Sequence, residues 1–381
     1  MSWDLVVVGG GPAGLAVAIE ARQVGLSVVV LDRRHPPLDK ACGEGIMPLG
    51  VAWIERAGLE IDPDGVHPFV GIRFVEQSGG QTLVAEGRFC GPGGLGVRRL
   101  HLHRALVQRA EALGVELRWG VQVDGLESGA VQTAEGLFSA RWIVGADGLR
   151  SKVREWAGLS GGPSRTRRFG VRRHYAMEPW TDFVEVTMVE GCEAYVTPVG
   201  PGRVGVSFLF SEKGLRFEDM LARFPDLERL VEAAEFDSSR LGAGPLRQEV
   251  LGVVSGRVAL VGDASCFRDA LTGEGLSLAF RQAHALVAAL GDEDLAAYAR
   301  AHRRIVKRYL QGTTLLLALT RWRWMRRAMV ALLGRDPGWF SRILGVLVDE
   351  RAWSTAISPW ALAALVRNLV TGGARPGEEE P

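Results

Sequence analysis

The chain has 381 residues, of which 47% are hydrophobic and 23% charged, and its formal net charge is +1. That length supports two domains with substantial cores, and the composition is ordinary for a water-soluble protein. A charge so close to zero provides no field to gather polyanions, which excludes a nucleic-acid binder.

Four cysteines, Cys42, Cys90, Cys192 and Cys266, stand far apart with no C-x-x-C pair. Neither a metal site nor a disulfide scaffold is expected, and reduced thiols suit a cytoplasmic enzyme. The first apolar strand begins at residue 4 or 5, leaving no room for a secretory leader before it. Arg321 and Arg367 interrupt the late apolar runs, so no membrane-spanning helix is expected.

In chain order, Leu5 to Val8 predicts a buried strand, followed by Gly9, Gly11 and Gly14 at G-x-G-x-x-G spacing. Gly9 allows the tight turn, Gly11 lets a pyrophosphate approach the backbone, and Gly14 lets the next helix lie close on the strand. Pro12 and Ala13 open that helix, Leu15, Ala18, Ile19 and Arg22 continue it, and Gly25 ends it. Ser27 to Leu31 predicts a second strand. Asp32 stands at its end, about 20 residues past the glycines, where a carboxylate accepts ribose hydroxyls and disfavours a 2′-phosphate; Arg33 follows it.

Pro36-Pro37 forces a loop, and Ala41, Cys42 and Gly43 lie on its continuation, DKACGEGIMPLGV, placed to meet the far end of a dinucleotide. Leu49 to Arg56 predicts a short helix. Phe69 to Glu76 and Gln81 to Arg88 predict a hairpin through Ser78-Gly79-Gly80. Arg98 to Leu113 predicts a helix, and Glu116 to Trp119, Val121 to Leu126, Ala130 to Thr133 and Trp142 to Val144 predict strands, the last ending in GADGLRSKVR. Ser151 to Trp156 begins another helix.

Phe169 to Met177, Phe183 to Val189, Ala194 to Val199 and Val204 to Phe210 predict an antiparallel sheet, with Arg172, His174, Tyr195 and Glu185 as polar candidates for a pocket. Leu215 to Phe224 and Leu227 to Phe236 predict two helices. Arg257 to Val261 predicts a strand running into Gly262 and Asp263. Gly273, Glu274 and Gly275 precede a helix from Leu276 to Leu290, whose N-terminus suits an anionic ring edge or oxyanion. From Leu295 onward helices are predicted. Their segment TTLLLALTRWRWMRRAMVALL, with Trp322, Trp324 and four arginines, fits either a membrane-surface helix or a lid on the main body.

Three motifs, GGGPAG at 9–14, GADGLRSKVR at 145–154 and GDASCFRDALTGEG at 262–275, together resemble the p-hydroxybenzoate hydroxylase-like flavoproteins, a superfamily that includes geranylgeranyl reductases and flavin halogenases. The resemblance covers about residues 4–290. With the residue pattern it implies an α/β fold, a Rossmann-like FAD-binding domain (1–68, 97–165 and 242–295) with an inserted antiparallel-sheet substrate domain (69–96 and 166–241), while the pattern beyond it predicts a C-terminal helical region (296–371) and the composition, with Pro376 and three glutamates, a disordered tail (372–381). It further implies FAD held by the glycine turn, by Asp32, by Arg99 in R-x-x-L-x-x-x-L, by Asp147 and Gly148, by Asp263, and by backbone at Val123.

The resemblance makes an NAD(P)H-driven monooxygenase the leading expectation, with a lipophilic aromatic, polyketide or quinone-type substrate. NAD(P)H would visit transiently, since no second G-x-G-x-x-G follows a strand. A reductase of isoprenoid double bonds is the alternative, favoured locally by CGEG at 42–45 and by LTGEG. There Cys42 is either a proton-relay or positioning residue or a small packing residue, and Tyr195 heads a Y-x-x-P strand common to both branches. A non-catalytic flavin module is the third reading. Halogenase is disfavoured, because W-x-W-x-I-P is absent and no lysine lies between Lys40 and Lys152.

Overall fold

Strands buried on both faces need no alternation of polar and apolar residues, and Leu5–Val8 and Val28–Leu31 are buried throughout. In the computed structural model, which describes residues 2–78, 81–162, 168–352 and 355, these segments form neighbouring parallel strands, Ser2–Val8 and Val28–Asp32. The parallel array continues through Gly136–Gly145 to Val258–Leu260 on one side and through Glu116–Trp119 on the other. Val8 pairs with Leu31 and Gly145, and Gly145 with Leu260. Four strands thus end level with one another. The helix Pro12–Gln23 packs between Arg99–Ala112 and Gly275–Gly291, giving the expected Rossmann-like α/β unit.

A second sheet has the order Glu235–Phe236, Phe169–Ala176, Arg203–Phe210, Cys192–Gly200, Phe183–Val189, Gly71–Ser78, Gln81–Arg88. Its neighbours are antiparallel except that Phe183–Val189 runs parallel to Gly71–Ser78, which joins the early hairpin to the later meander. Two of the expected helices are shorter than their sequence pattern. Pro225 opens a new helix and limits the first to Phe217–Leu221. The second stops at Val231, and Glu235–Phe236 instead pairs with Tyr175–Ala176, drawn there by Asp237, which accepts from Arg98 at 2.7 Å and also from Arg203. A small sheet of Gly45–Ile46, Val66–Phe69 and Gly94–Val97 was not expected. A Cβ on Gly96 would stand 1.8 Å from the Pro198 carbonyl, so this strand needs the glycine that hides it from pattern reading.

The helices Leu295–Thr320, Arg323–Arg335 and Pro337–Leu347 complete the described chain. The last two pack on the hairpin strands through Val330, Leu333, Phe340 and Leu344, with Phe340 stacked on Phe74 at 5.3 Å. They form a roof over one face of the second sheet. The turn residues Gly79 and Gly80, Trp353, Trp360, the last expected helix and the tail lie outside the described residues. Among those described, no helix is long and apolar enough to cross a membrane.

The long helix is tied to the nucleotide unit by His302, which is buried and whose Nε2 lies 3.0 Å from Ser265 Oγ. Burial pushes this imidazole down to about 4 from 6.5. The unfolded chain therefore binds a proton near pH 6.5 that the folded chain refuses until about pH 4. Stability is whole above the upper value and falls by roughly 3 kcal/mol as pH drops to the lower. Urea midpoints measured across this range should show the fall, and His302→Gln should flatten it.

Candidate functional site

The site follows from the level strand ends, because in open parallel sheets ligands lie beyond the carboxyl ends of the strands. Gly9, Asp32, Ala146-Asp147 and Gly262-Asp263 all emerge there. Gly9 has φ +111 and a Cβ there would overlap Ala146, while a Cβ on Gly14 would stand 1.9 Å from the Gly9 carbonyl. The turn is closed behind. In front it is open, since a Cβ on Gly11 would meet nothing within 4 Å. Pro12 and Ala13 begin the helix, and Ala13 lies so near Gly262 that a Cβ on the latter would come within 2.7 Å of it.

Asp32 Oδ2 accepts from the Gly10 N–H at 2.8 Å and Oδ1 from the Arg34 N–H at 2.9 Å. The carboxylate shapes the turn and keeps lone pairs for ribose hydroxyls; Arg33 beside it is exposed. Val123 follows Val121, whose N–H donates to the Asp32 carbonyl at 3.0 Å, so its backbone adjoins the same end. His103, which sequence reading missed, is fully buried. Its Nδ1 accepts from the Leu38 N–H at 3.3 Å and its Nε2 faces the Gly10 carbonyl at 2.8 Å, tying the glycine turn to the following loop. Burial lowers its pKa, opposed by the Gly10 carbonyl, so the ring is a neutral Nε2–H tautomer.

Asp147 Oδ2 accepts from the Lys152 and Val153 N–H groups at 2.7 and 3.2 Å, while its Oδ1 is buried without a partner. Gly148, at φ +84, faces Lys40, whose Nζ donates to Asp263 Oδ2 at 2.9 Å. Sequence reading left Asp263 free for a hydroxyl; here Lys40 holds it. Gln282 accepts from the Gly262 N–H at 2.7 Å and fixes that turn. Gly273 lies against Met47, and Gly275 and Leu276 open their helix with no side-chain cap. Glu274 precedes it, buried. Desolvation, opposed by Arg281 and reinforced by Asp349, raises its carboxyl to about 8, so near neutral pH it leaves the helix N-terminus mostly uncancelled.

The loop from Asp39 to Gly45 joins this end of the sheet to the second domain. Glu44 has φ +61, unusual for a residue with a side chain. It is 2% exposed, and it accepts from the Arg99 N–H at 2.8 Å and lies 2.5 Å from His174 Nε2 and 3.6 Å from Arg172. Arg172 reaches Asp39 at 2.6 Å, and Ser238 Oγ lies 2.8 Å from His174 Nδ1. Burial raises the Glu44 carboxyl, but His174 and Arg172 outweigh it and hold the group below the usual carboxylate range. Ala41 and Cys42 are half-buried and Gly43 exposed; Cys42 Sγ accepts from the Glu44 N–H at 3.3 Å, and Thr197 donates to the Gly43 carbonyl at 2.9 Å.

Cross-strand register places Arg172, Ser207, Tyr195 and Val186 on one face and Glu185, Val196, Val206 and Arg173 on the other. Arg172, His174 and Tyr195 therefore look toward the loop and the roof helices, whereas Glu185 looks away and pairs with Arg73 at 3.3 Å. Tyr195 donates to the Leu271 carbonyl at 3.1 Å, and burial raises its pKa well above the ordinary value. Beside it Arg168 joins Glu193 and Asp269 at 2.7 and 2.9 Å, locking the sheet to the loop that leads into the Gly275 helix.

The cradle fits FAD. It is open at Gly11, Gly43 and Gly275, has two uncapped helix N-termini, and holds buried polar atoms without partners at Asp147 Oδ1 and Arg99 Nε. The FAD binding domain family matches residues 2–202, and the chain belongs to that family; it is an FAD-dependent oxidoreductase. A menaquinone reductase of Mycobacterium tuberculosis is 27% identical over 321 residues, 77% of this chain and 78% of that protein. A digeranylgeranylglycerophospholipid reductase of Methanosarcina acetivorans is 27% identical over 296 residues, 72% of this chain and 71% of its own. The OxyS anhydrotetracycline hydroxylase of Streptomyces rimosus shares the fold, with a TM-score of 0.71 at 24% identity over 92% of this chain and 76% of that one.

Proposed function

We propose that the protein is a flavin-dependent reductase that saturates a carbon–carbon double bond in an isoprenoid chain, drawing electrons from NAD(P)H. Support comes from the reductases that align over about three quarters of both chains, and from one feature of the site: Cys42 stands on a loop pinned to the substrate-facing side of the second sheet by Glu44 and Thr197. Bound FAD supplies hydride chemistry. Gly9, Gly11, Gly14, Asp32, Asp147 and Asp263 would hold it.

Saturation adds a hydride equivalent to one carbon and a proton to the other. Cys42 Sγ, already an acceptor from the Glu44 N–H, keeps its S–H for the second carbon. Met47, Phe69, Val184 and Val186 pack with the roof helices into an apolar cluster that would shield a prenyl chain bound at its edge from water. A cavity of about 240 Å³ lies beside Gln248, which donates to the Asp263 carbonyl, and its lining includes Arg150, Arg154 and the ion pair of Arg247 with Glu249.

Cys42→Ala should leave flavin binding and flavin reduction unchanged and lower alkene saturation about a hundredfold, with Cys42→Ser partly restoring it. Equal turnover by Cys42→Ala would make the thiol a packing residue. The fold shared with a hydroxylase supports a second reading, NAD(P)H-driven hydroxylation of a lipophilic aromatic, polyketide or quinone-type molecule. Turnover of a prenylated quinone under strict anaerobiosis separates the two. The reductase yields a product heavier by two hydrogens; product that forms only in air and carries one added oxygen atom overturns it.

A further inference from the structure

Between Leu295 and Arg335 the sequence has ten Arg and Lys and no Asp or Glu, in a chain of net charge +1. The helices Leu295–Thr320 and Arg323–Arg335 carry this run and meet at a turn through Arg321 and Trp322. Their inner side is taken up by packing, with Val306, Tyr309, Val330 and Leu333 buried. The outer side is not. Along the longer helix, exposed Arg304, Lys307, Gln311, Thr314, Leu315 and Ala318 recur at the spacing of a single stripe, basic where it starts and apolar where it ends. The stripe runs into the turn, where Leu315 is 53%, Trp322 49% and Trp324 57% exposed. Arg321 lies over the Trp322 ring at 5.0 Å. Arg304, Lys307, Arg321 and Arg323 make no ion pair among the described residues.

Two indoles standing in water at the tip of a helical hairpin, flanked by unpaired Arg321 and Arg323 and continued up the longer helix by unpaired Lys307 and Arg304, mark an interaction surface. We propose that this hairpin docks on an anionic lipid bilayer, with Trp322 and Trp324 at headgroup level, Arg321 and Arg323 facing lipid phosphates beside them, and the exposed stripe with Lys307 and Arg304 lying along the surface. A second copy of the chain would set one cationic run against another, and a nucleic acid would offer the aliphatic end of the stripe, Leu315 and Ala318, no apolar layer. The second of these helices, Arg323–Arg335, is also part of the roof over the apolar face of the second sheet, so docking brings that end of the molecule to the source of a lipophilic substrate. The surface is separate from the redox site, and its proof or failure does not depend on which reaction is catalysed.

The test is co-sedimentation of the full chain with vesicles of phosphatidylcholine alone or containing phosphatidylglycerol. Binding is expected to the anionic vesicles, to weaken with salt, and to fall about fivefold for each of Arg321→Gln and Arg323→Gln. The double variant Trp322→Ser, Trp324→Ser should lose at least about tenfold, with circular dichroism, flavin content and turnover of detergent-dispersed substrate unchanged. Failure of the natural chain to bind anionic vesicles, or equal binding by the tryptophan variant, overturns the proposal. It also falls if the variant instead turns an oligomer into a monomer, or if only a chain cut after residue 352 binds, since the surface would then belong to a second copy or to residues 353–381.

Discussion

Gly11→Ala is expected to leave the fold as stable as before and to abolish FAD binding, whereas Gly14→Ala should damage both. At Gly11 the backbone has φ −75, which alanine adopts without strain, and a Cβ enters open space. That space is where the pyrophosphate must lie against the turn, so the methyl group displaces the ligand and nothing else. At Gly14 the Cβ would stand 1.9 Å from the Gly9 carbonyl and 3.1 Å from Val7 Cγ1, so helix and strand must part. Overpacking of this kind costs about 1–3 kcal/mol or more. Denaturant midpoints paired with fluorescence titration by FAD would show the contrast. Tight flavin binding by Gly11→Ala would mean that the pyrophosphate does not cross this turn.

Glu44→Ala should be among the most destabilising single changes at the junction of the two sheets. It leaves His174, 0% exposed, without its carboxylate and Arg172, 1% exposed, with Asp39 alone. Breaking a buried pair by removing one partner costs about 3–5 kcal/mol, and alanine also inherits a positive φ. Because the folded carboxyl lies below the ordinary 4.5, its contribution is whole above that pH and is lost as pH falls through the lower folded value. Unfolding midpoints between neutral and acid pH should therefore converge for the natural chain and the variant. Parallel curves would mean that Glu44 is not ionised in the fold. Glu44→Gly separates the two causes, since it relieves the backbone strain yet removes the carboxylate and should still unfold early.

Local chemistry made most of the candidate site legible in the sequence. The glycine turn, Asp32 and the strand-ending GADG and GDAS turns each have a fixed short spacing with a physical reason, and the strand registers bring them to one edge. The partners that hold these pieces were silent. His103 bonds Gly10 from 93 residues away and Glu44 meets His174 across 130, distances at which no periodicity speaks. Asp263 looked free because Lys40, 223 residues earlier, gives no sign of its pairing. Pleat direction could not be chosen for Glu185 until its register with Val196 was known. Phe236 went to a strand edge because Asp237 is held by two arginines from elsewhere in the chain.

The account rests on a dinucleotide held noncovalently where four strand ends meet. The absorbance spectrum of the purified chain, repeated on the filtrate after denaturation, tests this most directly. A flavin spectrum with one FAD released per chain, and with Gly11→Ala colourless yet folded, is the result expected. A natural chain that is colourless and takes up no added FAD would contradict it.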